Sequence, residues 1–386
     1  MFSNRTDWSL SPNTISKALD NFKAQGIPYI DLTASNPTGC QFEYPQELLS
    51  SLVVTDNLTY RPLPKGLPVA RDAVAQYYNR RDLEVNPEDV FLTAGTSEAY
   101  SFLFRLLINS GEAALFPKPS YPLFEFLTDL NDVNIDYYPL EYEQRWRINI
   151  DKFEQSILAD TQAVIFVNPN NPTGSYISPE EKEEINAICR NRKLPIISDE
   201  VFFDYFFGGD DPHVSFCGNQ DVLTFTLGGL SKSMGLPQMK LSWILVSGPE
   251  KYKREAMQRL EIITDTFLSV NTPVQNALKS WALFEQDIQK DILVRIRNNL
   301  KELSGAVDGK ISVELLRASG GWSAVLRLPE GIDEEKFSEE LLSHEHVLAH
   351  PGFFYDFEEG NHIVLSLLPP ADVFRDGVGK LVDKLS

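Results

Sequence analysis

TQAVIFVNPNNPTGSYISPEEKEEINAICRNR, residues 161–192, passes from a continuous apolar run through a turn-rich heptapeptide into a helical pattern. A run such as AVIFV, apolar at every position, suits a strand covered on both faces. The same unit recurs on either side. DVFLTAG leads into SEAYSFLFRLL, and AALFP leads into SYPLFEFLTDL. PIISDE, VLTFTLGGL and LSWILVS follow as further strands. Strands that alternate with helices predict a layered α/β domain with a mostly parallel central sheet and helices on both faces.

Beyond Pro249 the pattern changes to three long helices, KYKREAMQRLEIITDTF, PVQNALKSWALF and DIQKDILVRIRNNLKEL. Strands ISVELLR, GWSAVLRL, VLAH and HIVLSLL then surround the helix DEEKFSEELLSHE, and FRDGVGKLVDKLS closes the chain as a helix. This reads as a smaller α+β domain. The expected division is an N-terminal arm over 1–44, with a helix near Thr14 to Ala24, that packs on the small domain; a large domain over 45–275; and a small domain over 276–386.

The chain has 386 residues, 42% of them hydrophobic and 23% charged, as in ordinary globular proteins. Its 35 basic against 55 acidic residues leave a net charge of -20, which repels nucleic acid and anionic lipid. No apolar run approaches the ~20 residues of a membrane helix, and MFSNRTDWSLSPN lacks the basic-then-apolar order of a signal peptide. Cys40, Cys189 and Cys217 are odd in number and far apart, which fits a reducing compartment. The expectation is a cytosolic protein whose partners are small molecules.

Open α/β sheets bind ligands beyond the carboxyl ends of their strands, so polar residues there carry the functional signal. TAGTSE sets Gly95, Thr96 and Ser97 at a strand-to-helix turn, where free amides favour an anion. Ser97 acting as a plain N-cap is the alternative. The stretch LGGLSKSMGLPQMKLSW, residues 227–243, holds Lys232 and Lys240 with no acidic residue beside them. Lys240 suits a phosphate. Lys232 is either a solvated surface charge or, if desolvated, an amine nucleophile that forms Schiff bases. Asp199 ends an apolar strand and needs a partner, for which a protonated heteroaromatic nitrogen is suitable. Asn171 offers a donor for a ring oxygen, and Tyr121 in PKPSYP either stacks on a ring or simply packs.

These residues resemble the class I/II aminotransferases of the fold-type I pyridoxal phosphate enzymes. The matching motifs are YRPLPKG (60–66), TAGTSEA (93–99), PSYP (119–122), NPNNPTG (168–174), SDEVF (198–202), SKSMGLPQMK (231–240), ASGGW (318–322) and HPGFF (350–354). The resemblance implies a pyridoxal 5'-phosphate cofactor held as a Schiff base on Lys232, with the same lysine carrying the proton between substrate and cofactor. It implies that Asp199 binds the pyridine nitrogen, Asn171 the phenolic oxygen and Tyr121 the ring face. Gly95, Thr96, Ser97, Ser231 and Lys240 would surround the phosphate. Tyr60 would reach the phosphate of a neighbouring subunit, which implies a homodimer with shared active sites. An amino donor and an oxo acceptor are the implied substrates. A lyase or decarboxylase on the same fold, or a non-catalytic cofactor-binding protein, is the alternative class.

Three positions depart from the family pattern. Lys240 replaces the usual arginine, so a point charge stands for a two-pronged clamp. Phe202 replaces a tyrosine that donates to the phenolic oxygen. Val364, in HIVLS, replaces the arginine that grips the substrate carboxylate. A relocated cation is the expected compensation, with Arg61, Lys65, Arg317, Arg327, His350 and His362 as candidates; otherwise Val364 and Phe354 form an apolar wall for a substrate without a carboxylate. His344, His346 and His350 in SHEHVLAH lack the spacing and companions of a metal site.

Overall fold

The computed structural model describes residues 1–309 and 313–385. Its main sheet has eight strands, labelled in chain order: β1 (Val90–Thr93), β2 (Ala113–Lys118), β3 (Asn134–Tyr142), β4 (Trp146–Ile148), β5 (Thr161–Val167), β6 (Ile196–Asp199), β7 (Thr224–Gly229) and β8 (Ser242–Ser247). Their spatial order is β1-β8-β7-β6-β5-β2-β3-β4. The run from β7 through β6, β5 and β2 to β3 is parallel. β8 lies antiparallel between β7 and β1, and β4 folds back antiparallel on β3.

The continuous apolar runs are explained by the two covered faces. Phe91, Ile165, Ile197, Phe225 and Ile244 share one core with Ala99 and Leu103 of the helix Thr96–Leu107 and Leu260 of the helix Glu250–Phe267. Their chain neighbours point the other way. Val164, Phe166 and Ile196 meet Ile185 and Cys189 of the helix Pro179–Arg192, while Val90, Leu92 and Trp243 meet the helices Pro68–Asn79 and Thr272–Trp281. Successive strand residues therefore fill opposite cores.

The β3–β4 hairpin and the helix Pro68–Asn79 were not legible as elements. β3 is half-exposed along most of its length and reads NIDYYPLEY, without an apolar run to mark it.

A second sheet, all antiparallel, comprises Glu314–Leu316, Ser323–Arg327, His362–Ser366 and His350–Pro351 in that spatial order. Of the expected strand ISVELLR, Ile311 and Ser312 lie outside the described residues, as does Ser386 of the closing helix, which runs Ala371–Lys384. The N-terminal helix Thr14–Gln25 presses Ile15 and Phe22 onto Leu342 and Leu348, and Ile30–Asp31 pairs in parallel with Val347–Leu348.

The two sheets meet where the glycine pair of ASGGW touches the NPNNPTG turn. Gly320 donates its amide to the Gly174 carbonyl at 3.0 Å, and Gly321 donates to that of Tyr205 at 3.0 Å. A Cβ on Gly320 would stand 2.5 Å from the Tyr205 carbonyl oxygen and 2.6 Å from the Tyr176 ring. Gly320→Ala is accordingly expected to cost ~1–3 kcal/mol by overpacking. Urea unfolding measures this, and an unchanged midpoint would mean that the junction yields.

Candidate active site

Because β1, β2, β5, β6 and β7 run the same way, the residues that follow them gather at one edge of the sheet. They border a cavity of about 320 Å³, whose walls include Thr96, Ser97, Tyr121, Asn171, Asp199 and Lys232. Six of the ten sequence-predicted site residues therefore meet in one place. The second sheet closes the cavity with Ser323, His350, Val364 and Ser366, the turns beside its strands add Trp322 and Tyr355, and the N-terminal segment adds Thr33 and Ser35.

Asp199 ends β6 and is buried. Tyr100 donates its hydroxyl to Oδ2 at 3.1 Å, and the Val201 amide donates to Oδ1 at 3.2 Å. Burial pushes the carboxyl up from 3.8 to about 6, while the two hydrogen bonds and Lys232 pull it back. Lys232 lies in the single helical turn Leu230–Ser233 that follows β7. Its side chain is half-buried and borders the cavity. Burial lowers its ammonium from 10.5 to about 8, against the pull of Asp199. Its Nζ lies 5.1 Å from the Phe202 ring centre and 4.7 Å from that of Trp322. Among the described residues it forms no hydrogen bond or ion pair. The backbone beneath it is fixed by the Tyr205 hydroxyl, which donates to the Lys232 carbonyl at 2.6 Å.

The helix Thr96–Leu107 starts at Gly95, and no side chain caps it. Ser97 is therefore not the N-cap, and the first amides remain open for an anion. Lys240 points at this helix end: its Nζ lies 3.8 Å from where a Cβ on Gly95 would stand. Gly95, Ser231 and Lys240 do not border the cavity itself. Tyr121 stands at its mouth, edge-on to Phe124 at 5.8 Å. Tyr60 is not brought to this site within one chain. It is 76% exposed and shares a shallow surface pocket with Arg61 and Leu63.

Five of the six proposed replacement cations lie elsewhere. Lys65 pairs with Glu88, Arg317 with Asp211 and Arg327 with Glu314, Arg61 borders the surface pocket of Tyr60, and His362 stacks on Phe357. His350 alone reaches the cavity, where its Nδ1 lies 3.1 Å from the Tyr355 hydroxyl; burial lowers its pKa below 6.5. Phe354, expected beside Val364, instead packs with the cluster of Ile15 and Phe22. His346 sits edge-on to Phe22, and among the described residues no group of His, Cys, Asp and Glu could hold a metal.

The family model "Aminotransferase class I and II" matches residues 28–369. The chain belongs to the class I and II aminotransferases. A glutamate-pyruvate aminotransferase, AlaA, of Haemophilus influenzae is 28% identical over 96% of this chain and 94% of its own. Among solved structures, an aminotransferase from Escherichia coli superposes with a TM-score of 0.87 at 25% identity, covering 100% of this chain and 98% of its own. An alanine aminotransferase from Pyrococcus furiosus gives 0.91 at 23% identity, covering 100% of this chain and 99% of its own, a likeness of fold. This aminotransferase has the fold-type I architecture and uses pyridoxal phosphate. Amino acids and oxo acids are the typical substrates of such enzymes. Among the described residues no helix is long and apolar enough to cross a membrane.

The residues present fit that cofactor. A buried carboxyl with a raised pKa suits a protonated ring nitrogen, a deprotonatable lysine without a partner suits a carbonyl, and open amides beside Lys240 suit a phosphate. Tyr100, Trp322 and Tyr355 are site residues that sequence reading missed. The signal for Tyr100 was a hydroxyl on the apolar face of its helix; for Trp322, the glycine pair that precedes it.

Asp199 binds its proton more tightly in the folded protein than in the unfolded chain, so its contribution to stability is fully present below pH 4 and is lost as pH rises through 6. The loss amounts to ~3 kcal/mol. In cofactor-free protein, Asp199→Asn is expected to raise the thermal midpoint at pH 8 and leave it unmoved near pH 4. An equal shift at both values would separate the effect from ionisation.

Proposed function

We propose that Lys232 is the covalent attachment point of pyridoxal phosphate and the proton carrier of this aminotransferase. The observation that carries this reading is an unpaired, desolvated amine facing a cavity that also contains a buried carboxyl at a strand end. Bound pyridoxal phosphate supplies an electron sink for the substrate carbon that loses its proton. With a pKa of about 8, Lys232 takes up and returns a proton near neutral pH without a large driving-force penalty. Asp199 holds a proton on the ring nitrogen. Asn171 binds the ring oxygen, Tyr121 covers the ring, and the amides of Gly95, Thr96 and Ser97, with Ser231 and Lys240, hold the phosphate.

The working form in this reading is a cytoplasmic homodimer in which Tyr60 completes the site of the other subunit. Support comes from the exposure of Tyr60, at 76%, next to Leu58, at 88%, on a surface that a second copy would cover.

Lys232→Ala is expected to lower amino-group transfer by ~10³-fold or more. Steady-state transfer between an amine donor and an oxo acceptor measures it, and near-normal turnover would rule out the assignment. Phe202 has no hydroxyl to give to the ring oxygen. Phe202→Tyr is therefore expected to move the pH midpoint of the cofactor's visible absorption change downward, and an upward or absent shift counts against the proposed placement of the ring.

A further inference from the structure

We propose that the substrate amine of this aminotransferase carries an uncharged group, alkyl or hydroxyalkyl, where an amino acid carries its α-carboxylate. The proposal rests on the reading of Lys232 as the cofactor lysine and specifies what that site accepts. The donor is then a primary amine or amino alcohol. Its C–N bond is exchanged for C=O as the nitrogen passes to an acceptor carbonyl, so no external oxidant or reductant is consumed.

The cavity wall supplies the reasons. Among the described residues its lining contains no arginine, and its one lysine is Lys232. Val364 is buried at the centre of the second sheet, between Val325 on one neighbouring strand and His350 on the other, so its apolar side chain forms a fixed part of the wall. Lys118, the nearest basic residue along β2, pairs with Glu358. His350 is the remaining titratable base among the described lining residues; it is half-buried beside Tyr355, and burial lowers its pKa although the charge of Asp31 pulls the other way.

The hydroxyl groups point to the same answer. Ser366 donates to the Ala34 carbonyl at 2.6 Å, Thr33 donates to Asp31 at 2.6 Å, and Ser323 lies 3.4 Å from the Asn171 side-chain oxygen. With those hydrogens committed to protein acceptors, these three oxygens, Ser366 already accepting from the Leu368 amide at 3.3 Å, can offer the cavity only lone pairs. Lone pairs accept a hydrogen bond from an alcohol and repel a carboxylate. Asp31, behind Thr33, adds negative charge on that side. A carboxylate entering here would lose its hydration without gaining a counter-charge.

The test uses the cofactor-loaded enzyme and three sets of donors: amino acids, the amino alcohols derived from them and the amines without the carboxylate. Single-turnover loss of the cofactor's visible band is the first readout. Isothermal titration with 3-phenylpropanol and 3-phenylpropionate, which carry no amine, is the second. The expected result is conversion at least tenfold faster with amines or amino alcohols than with the parent amino acids, and at least tenfold weaker binding of the acid than of the alcohol. Val364→Arg should reverse both orders. Amino acids that react as fast as their alcohols overturn the proposal and indicate a cation from a second copy of the chain. If neither class reacts although the cofactor is attached at Lys232, the substrate assignment falls and the cofactor reading stands. If Lys232 does not attach the cofactor, the reading beneath both falls.

Discussion

A carboxyl buried at the end of a strand, in the wall of the cavity, is the constraint to which the rest of the site answers. Asp199 cannot be solvated where it stands, so its charge depends on what the cavity provides: the Tyr100 hydroxyl, one backbone amide and the distant ammonium of Lys232. These do not suffice, and its pKa rises. Lys232 is displaced in the opposite sense for the same reason. Both groups therefore stay near their titration points at neutral pH, a condition in which a new ionic partner for the acid and a carbonyl for the amine each relieve a cost.

This arrangement requires rigidity behind it. β6 is flanked in parallel by β5 and β7, and the turn bearing Lys232 is tied through its carbonyl to Tyr205, two residues before the chain reaches the glycine junction at Phe207 and Ser319. Close backbone packing at Gly174 and Gly320 brings Trp322 against the lysine from the second sheet. The amine is thus enclosed between aromatic faces contributed by both sheets.

Much of this was legible in residues 90 to 247, because buried parallel strands are written as unbroken apolar runs and their ends as short polar motifs. Thr96, Ser97, Tyr121, Asn171, Asp199 and Lys232 were found in this way, each beside such an end. The hairpin Asn134–Tyr142 and Trp146–Ile148 was not, since an edge strand needs only a partial apolar face. Contacts made by folding, rather than by spacing, were also hidden. Nothing local to Tyr100 says that it will meet a residue 99 positions on, and nothing local to Arg317 or Arg327 says that acids at Asp211 and Glu314 have already claimed them. A list of cations near a motif is therefore a poor guide to which of them face a cavity.

The cavity draws Thr33 from near the start of the chain and Ser366 from near its end. Ile30–Asp31 holds the first of these by pairing with Val347–Leu348, a strand that leaves the ribosome more than 300 residues later. During synthesis the large sheet can close while the pocket it borders still lacks a wall. A chain cut short before the strand His362–Ser366 would leave Lys232 facing a pocket that lacks Val364 and Ser366.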